Sequence, residues 1–145
     1  MTAEYNGGFF SLTPEGEVNK PKDEVPNAKK SWEFIAYIKY INNYSDRLNR
    51  PVGQRLEVVP LENPFAKGPG QKISVQVFFE GNPKEGIFIS SNHKLLGRTR
   101  DGGMTRVRIR KSKVQIISAS HTLPMDGVKA DYKVLESFLC FEVKR

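Results

Sequence analysis

His121, Asp126 and Asp131 are the residues of this chain best placed to do chemistry together. His121 ends an apolar stretch on the same alternating face as Ile117 and Ala119, which puts its ring at the rim of a core. After the loop of residues 122–130, Asp131 and Tyr132 begin the last apolar stretch. If the two stretches pair as neighbouring strands, His121 lies opposite Asp131, with Asp126 at the loop tip. An imidazole with one or two carboxylates suits a divalent transition metal. The same pair could instead form a histidine–aspartate hydrogen bond that pins the loop, which is the commoner outcome. Two or three ligands leave a site open, so another segment would have to complete it. The second histidine, His93, lies in a turn sequence and reads as exposed.

A second set of residues offers charge rather than coordination. Arg98, Arg100, Arg106, Arg108 and Arg110 flank Asp101-Gly102-Gly103. A two-residue Asp101-Gly102 turn would put Val107 on the arginine side. A three-residue loop, with Gly103 supplying a left-handed bulge, pairs Leu95 with Ile109 and Gly97 with Val107 on one face. It sets Arg98 against Arg106 on the other face, beside Arg100, Arg108 and Arg110, and continued by Lys111 and Lys113. Such a face would bind an anionic partner: lipid head groups, a polysaccharide or an acidic protein surface. A merely solvated face, relieved by Glu85 or Asp101, is the plainer reading. No aromatics interleave with these arginines, so no stacking platform for nucleic acid is visible.

Catalysis finds little material. There is no glycine-rich phosphate loop, no G-x-S-x-G elbow and no H-E-x-x-H. Pro69 in Gly68-Pro69-Gly70 removes a backbone donor that a phosphate would need. Cys140, the one cysteine, excludes an internal disulfide framework and lies among Phe138, Leu139 and Phe141, where a buried inert thiol is expected. Nucleophilic and hydrolytic enzymes are therefore disfavoured, and a non-enzymatic role is expected.

The elements that must position these residues are strands. At 145 residues and 38% hydrophobic content the chain can bury a substantial core, and its net charge is +7. No apolar run reaches the ~18 residues of a membrane span. The opening MTAEYNGGFF lacks the basic and apolar regions of a signal peptide. Ile73, Val75, Val77 and Phe79 alternate with polar neighbours in the clearest amphipathic strand. Leu56, Val58 and Pro60 predict another, ended or confined to an edge by the proline. Residues 87–89, 114–119 and 139–143 add further strands, with turn residues between them. Residues 1–48 read as an arm: Phe9, Phe10 and Leu12 form a short strand closed by Pro14-Glu15-Gly16. Residues 31–44 fit helical and period-two spacing equally; a short helical turn running into a strand is predicted there. The whole predicts an all-β antiparallel sandwich of about seven strands over residues 49–145, preceded by that arm.

Leu56-Glu57-Val58-Val59-Pro60, with Pro64 after it, resembles the leucine–glutamate–aliphatic pair–proline signature of a bacterial family of unsettled function tied to nickel and cobalt uptake. The run from Gly70 to Pro83 resembles its glycine–strand–glycine-x-proline core. Ala119-Ser120-His121, Asp131 and Leu139-Cys140-Phe141-Glu142-Val143 are similar to its close, and residues 31–39 to the segment before its core. The likeness spans roughly residues 28–145. It implies transthyretin-like or immunoglobulin-like modules and a periplasmic or secreted location. The implied role is binding beside a metal-uptake membrane transporter, with nickel or cobalt as the ion concerned. An upstream module that carries a histidine in that family has no counterpart here, so the chain resembles the C-terminal module alone. Metal binding carries over to His121 and, loosely, Asp131.

Overall fold

A computed structural model describes residues 1–143. The chain forms eleven strands: β1 (Thr2–Thr13), β2 (Gly16–Val18), β3 (Lys30–Ile41), β4 (Leu56–Pro60), β5 (Lys72–Phe79), β6 (Asn82–Pro83), β7 (Phe88–Ser91), β8 (Lys94–Arg98), β9 (Met104–Arg108), β10 (Val114–Pro124) and β11 (Tyr132–Glu142). Seven make one sheet in the order β2-β1-β3-β11-β10-β7-β8, and four make a smaller sheet in which β5 pairs β4, β6 and β9. The two sheets face each other as a β-sandwich. Its core joins Ile35, Ile117, Leu135, Leu139 and Phe141 of the larger sheet to Leu56, Val58, Ile73, Val75, Val77 and Val107 of the smaller. Burial of each such aliphatic side chain contributes about 1.5–3 kcal/mol, which is what selects the alternating register.

The first 48 residues are not an arm. β1 pairs antiparallel with β2 and β3, and β3 lies beside β11 near the middle of the larger sheet. The helical turn expected near Ser31 is absent; β3 is strand throughout. Both periodicities fitted the stretch, but only the extended form puts Ile35, Tyr37 and Ile41 in the core and leaves Trp32, Phe34, Ile38 and Tyr40 half-buried on the opposite face. Across that outer face Trp32 stacks between Phe10 and Tyr132, with centroids 6.0 and 6.1 Å away, as cross-strand aromatic neighbours do. β3 and β11 run parallel, so the sheet is mixed rather than wholly antiparallel.

β4 has an edge that faces the larger sheet instead of solvent, and side chains satisfy it. The Val58 N–H donates to Ser137 Oγ at 3.2 Å, and Lys39 Nζ donates to the Val58 carbonyl at 3.3 Å. Lys39 also donates to the Glu57 carboxylate at 2.5 Å. Glu57 in turn accepts from the N–H groups of Val52 and Gln54 at 2.8 and 3.1 Å. Lys39 and Glu57 are 3% and 0% exposed, so this is a fully buried ion pair. Burial pushes the Lys39 ammonium below the ordinary lysine value, against the pull of Glu57, which raises it. The glutamate of the Leu56–Pro60 strand therefore holds the sheets together.

Candidate functional site

His121 takes the position expected of it within its strand. It lies on the inward face of β10 with Ile117 and Ala119, opposite Leu135 of β11. Its ring meets Phe79 edge-on, centroids 4.9 Å apart, and the Arg55 guanidinium lies over that same phenyl ring at 5.5 Å. Burial lowers the affinity of the imidazole for a proton, and Lys84 and Arg55 lower it further. The surroundings of this ring are cationic and aromatic, which disfavours a second positive charge.

The structure does not bring His121 and Asp131 together. Asp131 lies four positions before Leu135, the residue facing His121, a distance of about 13 Å along an extended strand. Asp131 is occupied elsewhere: its Oδ2 accepts the Ser31 N–H at 2.9 Å and its Oδ1 meets Lys22 Nζ at 2.6 Å. Lys22 first, and the Ser31 N–H second, hold the carboxyl below its usual range. Asp126 is exposed and accepts the Val128 N–H at 3.0 Å, closing its own loop. Among the described residues no three histidine, cysteine, aspartate or glutamate side chains converge on a point that could hold an ion.

The arginines also part company, because the expected hairpin does not form. The chain does turn at Asp101-Gly102-Gly103, and Gly103 has φ +71° as expected. However, β8 pairs with β7 in the larger sheet while β9 pairs with β5 in the smaller one, so the turn is a crossover between sheets. Thr99 fixes the crossing point. It is buried, its Oγ1 donates to the Lys84 carbonyl at 2.9 Å and accepts the Ile87 N–H at 3.0 Å. Leu95 and Leu96 remain 60% and 46% exposed, whereas Ile109 enters the core. The expected pairing of Leu95 with Ile109 on a core face fails because Leu95 is exposed.

Arg98 therefore lies on the larger sheet, its guanidinium 4.4 Å above the Phe88 ring. Arg100 and Arg106 share a shallow depression with Lys72 and Ser74 on the smaller sheet. Arg108 and Arg110 line a separate cleft with Lys94 and Lys111, between the edges formed by β8 and β9. Lys94, at the start of β8 and paired with Ser91 of β7, joins this group, which alternation along the chain does not reveal.

Glu136 is a further residue that sequence reading passed over. It sits on the outer face of the larger sheet, opposite Ser120 of β10 and Ala36 of β3, in a small hollow with Ser90, His93, Ser118 and Phe138. Burial raises its carboxyl above the usual value and the nearby His93 partly offsets this. Period-two reading of residues 132–138 would have placed it on that face. Cys140 lies on the same outer face, opposite Ile116 and Tyr40, and burial pushes its thiol up.

No curated protein and no solved structure matches this chain. A family model does match, over residues 1–123, a span that starts at the strands first read as an arm and stops just past His121. With most of the sequence covered, from β1 through nearly all of β10, the chain belongs to the family described as Domain of unknown function (DUF4198).

Proposed function

We propose that this protein is a non-enzymatic binding module that works in the periplasm beside a nickel or cobalt uptake system, docking to the transporter or to a companion module. The motif likeness from Leu56 to Val143 supports this reading. So does the use made of the polar side chains inside the fold: Glu57, Ser137, Thr99 and Gln115 each engage backbone. The observation that carries the proposal furthest is the separation of His121 from an Asp131 already engaged with Lys22 and Ser31. With these candidate ligands set apart, the module serves the ion by docking to a partner that holds it.

The decisive experiment removes the gene and measures nickel and cobalt accumulation when both are scarce. Uptake should fall severalfold and be restored by the chain directed to the periplasm, but not by the same chain kept in the cytosol. Unchanged uptake would refute the proposal. Calorimetric titration of nickel and cobalt into the isolated chain and into His121→Ala should give equally weak heats. Tight binding lost in His121→Ala would show that the chain holds the ion itself.

A further inference from the structure

The cleft between β8 and β9 gathers four cations, and none of them has a carboxylate partner among the described residues. Arg108 donates from Nη1 to the Gly70 carbonyl at 2.7 Å, and Arg110 from Nε to Ser91 Oγ at 3.3 Å. Both acceptors are neutral, so they orient the guanidinium groups without cancelling their charge. Lys94 and Lys111 are exposed.

The loop that bears Arg110 and Lys111 is rigidly built. Gln115 is 1% exposed; its Nε2 donates to the carbonyls of Arg110 and Ser112 at 3.0 and 2.5 Å, and its Oε1 accepts the Arg110 N–H at 2.9 Å. A buried amide spent wholly on one loop fixes how that loop presents its charges. The cleft measures about 700 Å³ and is open to solvent on one side.

Apolar residues border this cationic cleft. Leu96 lines it and Leu95 precedes it on the edge strand, where Leu96 forms a bulge against β7. Val114, 42% exposed, follows Lys113 at the start of β10. Exposed leucines on a strand edge next to unpaired cations are of no use to a soluble polyanion. They suit the boundary between head groups and acyl chains of a bilayer.

We infer that this end of the sandwich docks on an anionic phospholipid surface: Lys94, Arg108, Arg110 and Lys111 receive lipid phosphates, and Leu95 and Leu96 enter the interface. The inference goes beyond the metal-uptake proposal and stands without it, since it rests on the cleft alone.

Flotation of the full chain with vesicles tests it. Vesicles of phosphatidylglycerol and phosphatidylcholine in equal parts should retain the protein at low salt and release it as salt rises, while phosphatidylcholine alone should not retain it. Lys94→Gln with Lys111→Gln, at exposed positions that leave the fold intact, should weaken binding by about fivefold per charge. Lys20→Gln with Lys30→Gln, which removes two exposed charges towards the other edge of the larger sheet, should change it less than twofold. Leu95→Ser with Leu96→Ser should weaken vesicle binding severalfold and leave retention on heparin unchanged. Equal losses from the two lysine pairs would reduce the effect to net charge and overturn the inference. So would retention on heparin without any vesicle binding, which would point to a soluble polyanion.

Discussion

Lys39 of β3 and Glu57 of β4 form an ion pair at 2.5 Å with neither side chain reaching water. The pair stands where the edge of the smaller sheet meets the inner face of the larger one, so it ties together two layers otherwise joined by apolar contact. Removing one partner strands the other charge in the core. Lys39→Met or Glu57→Gln should each cost about 3–5 kcal/mol in urea unfolding, whereas Lys39→Met with Glu57→Leu should cost clearly less than either. A double variant as unstable as the sum of the singles would show that the pair does not act as a unit.

Gly103 and Gly102 share φ +71°, yet their surroundings differ. A Cβ on Gly103 would lie 2.6 Å from the Val77 carbonyl oxygen and 2.9 Å from the Lys84 nitrogen. On Gly102 it would touch only the flexible Met104 side chain, at 3.7 Å. Gly102→Ala should therefore cost about 1 kcal/mol through backbone conformation alone. Gly103→Ala should cost at least about twice that and lower the thermal midpoint accordingly. Matching losses would remove the steric argument for how the crossover is held.

His121 sets an acid limit. Its folded pKa lies below the ordinary 6.5, because of burial first and then Lys84 and Arg55. Between those two values the unfolded chain binds more protons than the folded one, so stability is full above 6.5 and declines as pH falls towards the folded value. The raised carboxyl of Glu136 has the opposite sign, favouring the folded state as pH falls through its own range. Glu136→Gln should therefore steepen the acid decline in urea midpoint, and His121→Phe should abolish it. A decline unaffected by His121→Phe would assign the acid limit to another group.

Asp131 should act at still lower pH. Lys22 and the Ser31 N–H hold its carboxyl down, so its contribution is present above the ordinary 3.8 and is lost as pH falls through the folded value. Asp131→Asn keeps the size but loses the charge, and at neutral pH it should cost about 1 kcal/mol, since the ion pair is partly exposed. Hydrogen exchange at the Ser31 amide reads the same contact directly and should accelerate in the variant.

Cys140 should be slow to react. Its thiol is raised by burial on the sheet face between Ile116 and Tyr40. Labelling with a disulfide reagent at pH 8 should run at least tenfold slower in the native protein than in urea. Native labelling at the unfolded rate would show that this face opens readily.

Strand alternation was legible wherever one face is apolar and the other polar, as in β5, and the long β10 was visible as a continuous apolar run. β3 was ambiguous because both its faces carry apolar side chains: one meets the core and the other the aromatic row around Trp32. The cationic residues were plain in the sequence, but their grouping was not. Strand partners depend on which leucines are buried, and Leu95 and Leu96 have the same composition signal as core residues. The His121 rim position followed from alternation, while its partner depended on strand register. The β10–β11 connection returns with Pro124 opposite Tyr132, so His121 falls well along the pair and not at its end.

The parallel contact of β3 with β11 joins residues one hundred positions apart, as the Ser31–Asp131 hydrogen bond shows. The middle of the larger sheet therefore closes only once β11 has been made, because β3 has β1 on one side before then but lacks its other neighbour. The smaller sheet, whose four strands all lie within residues 56–108, has its partners earlier, so the two layers come to completion at different stages of synthesis.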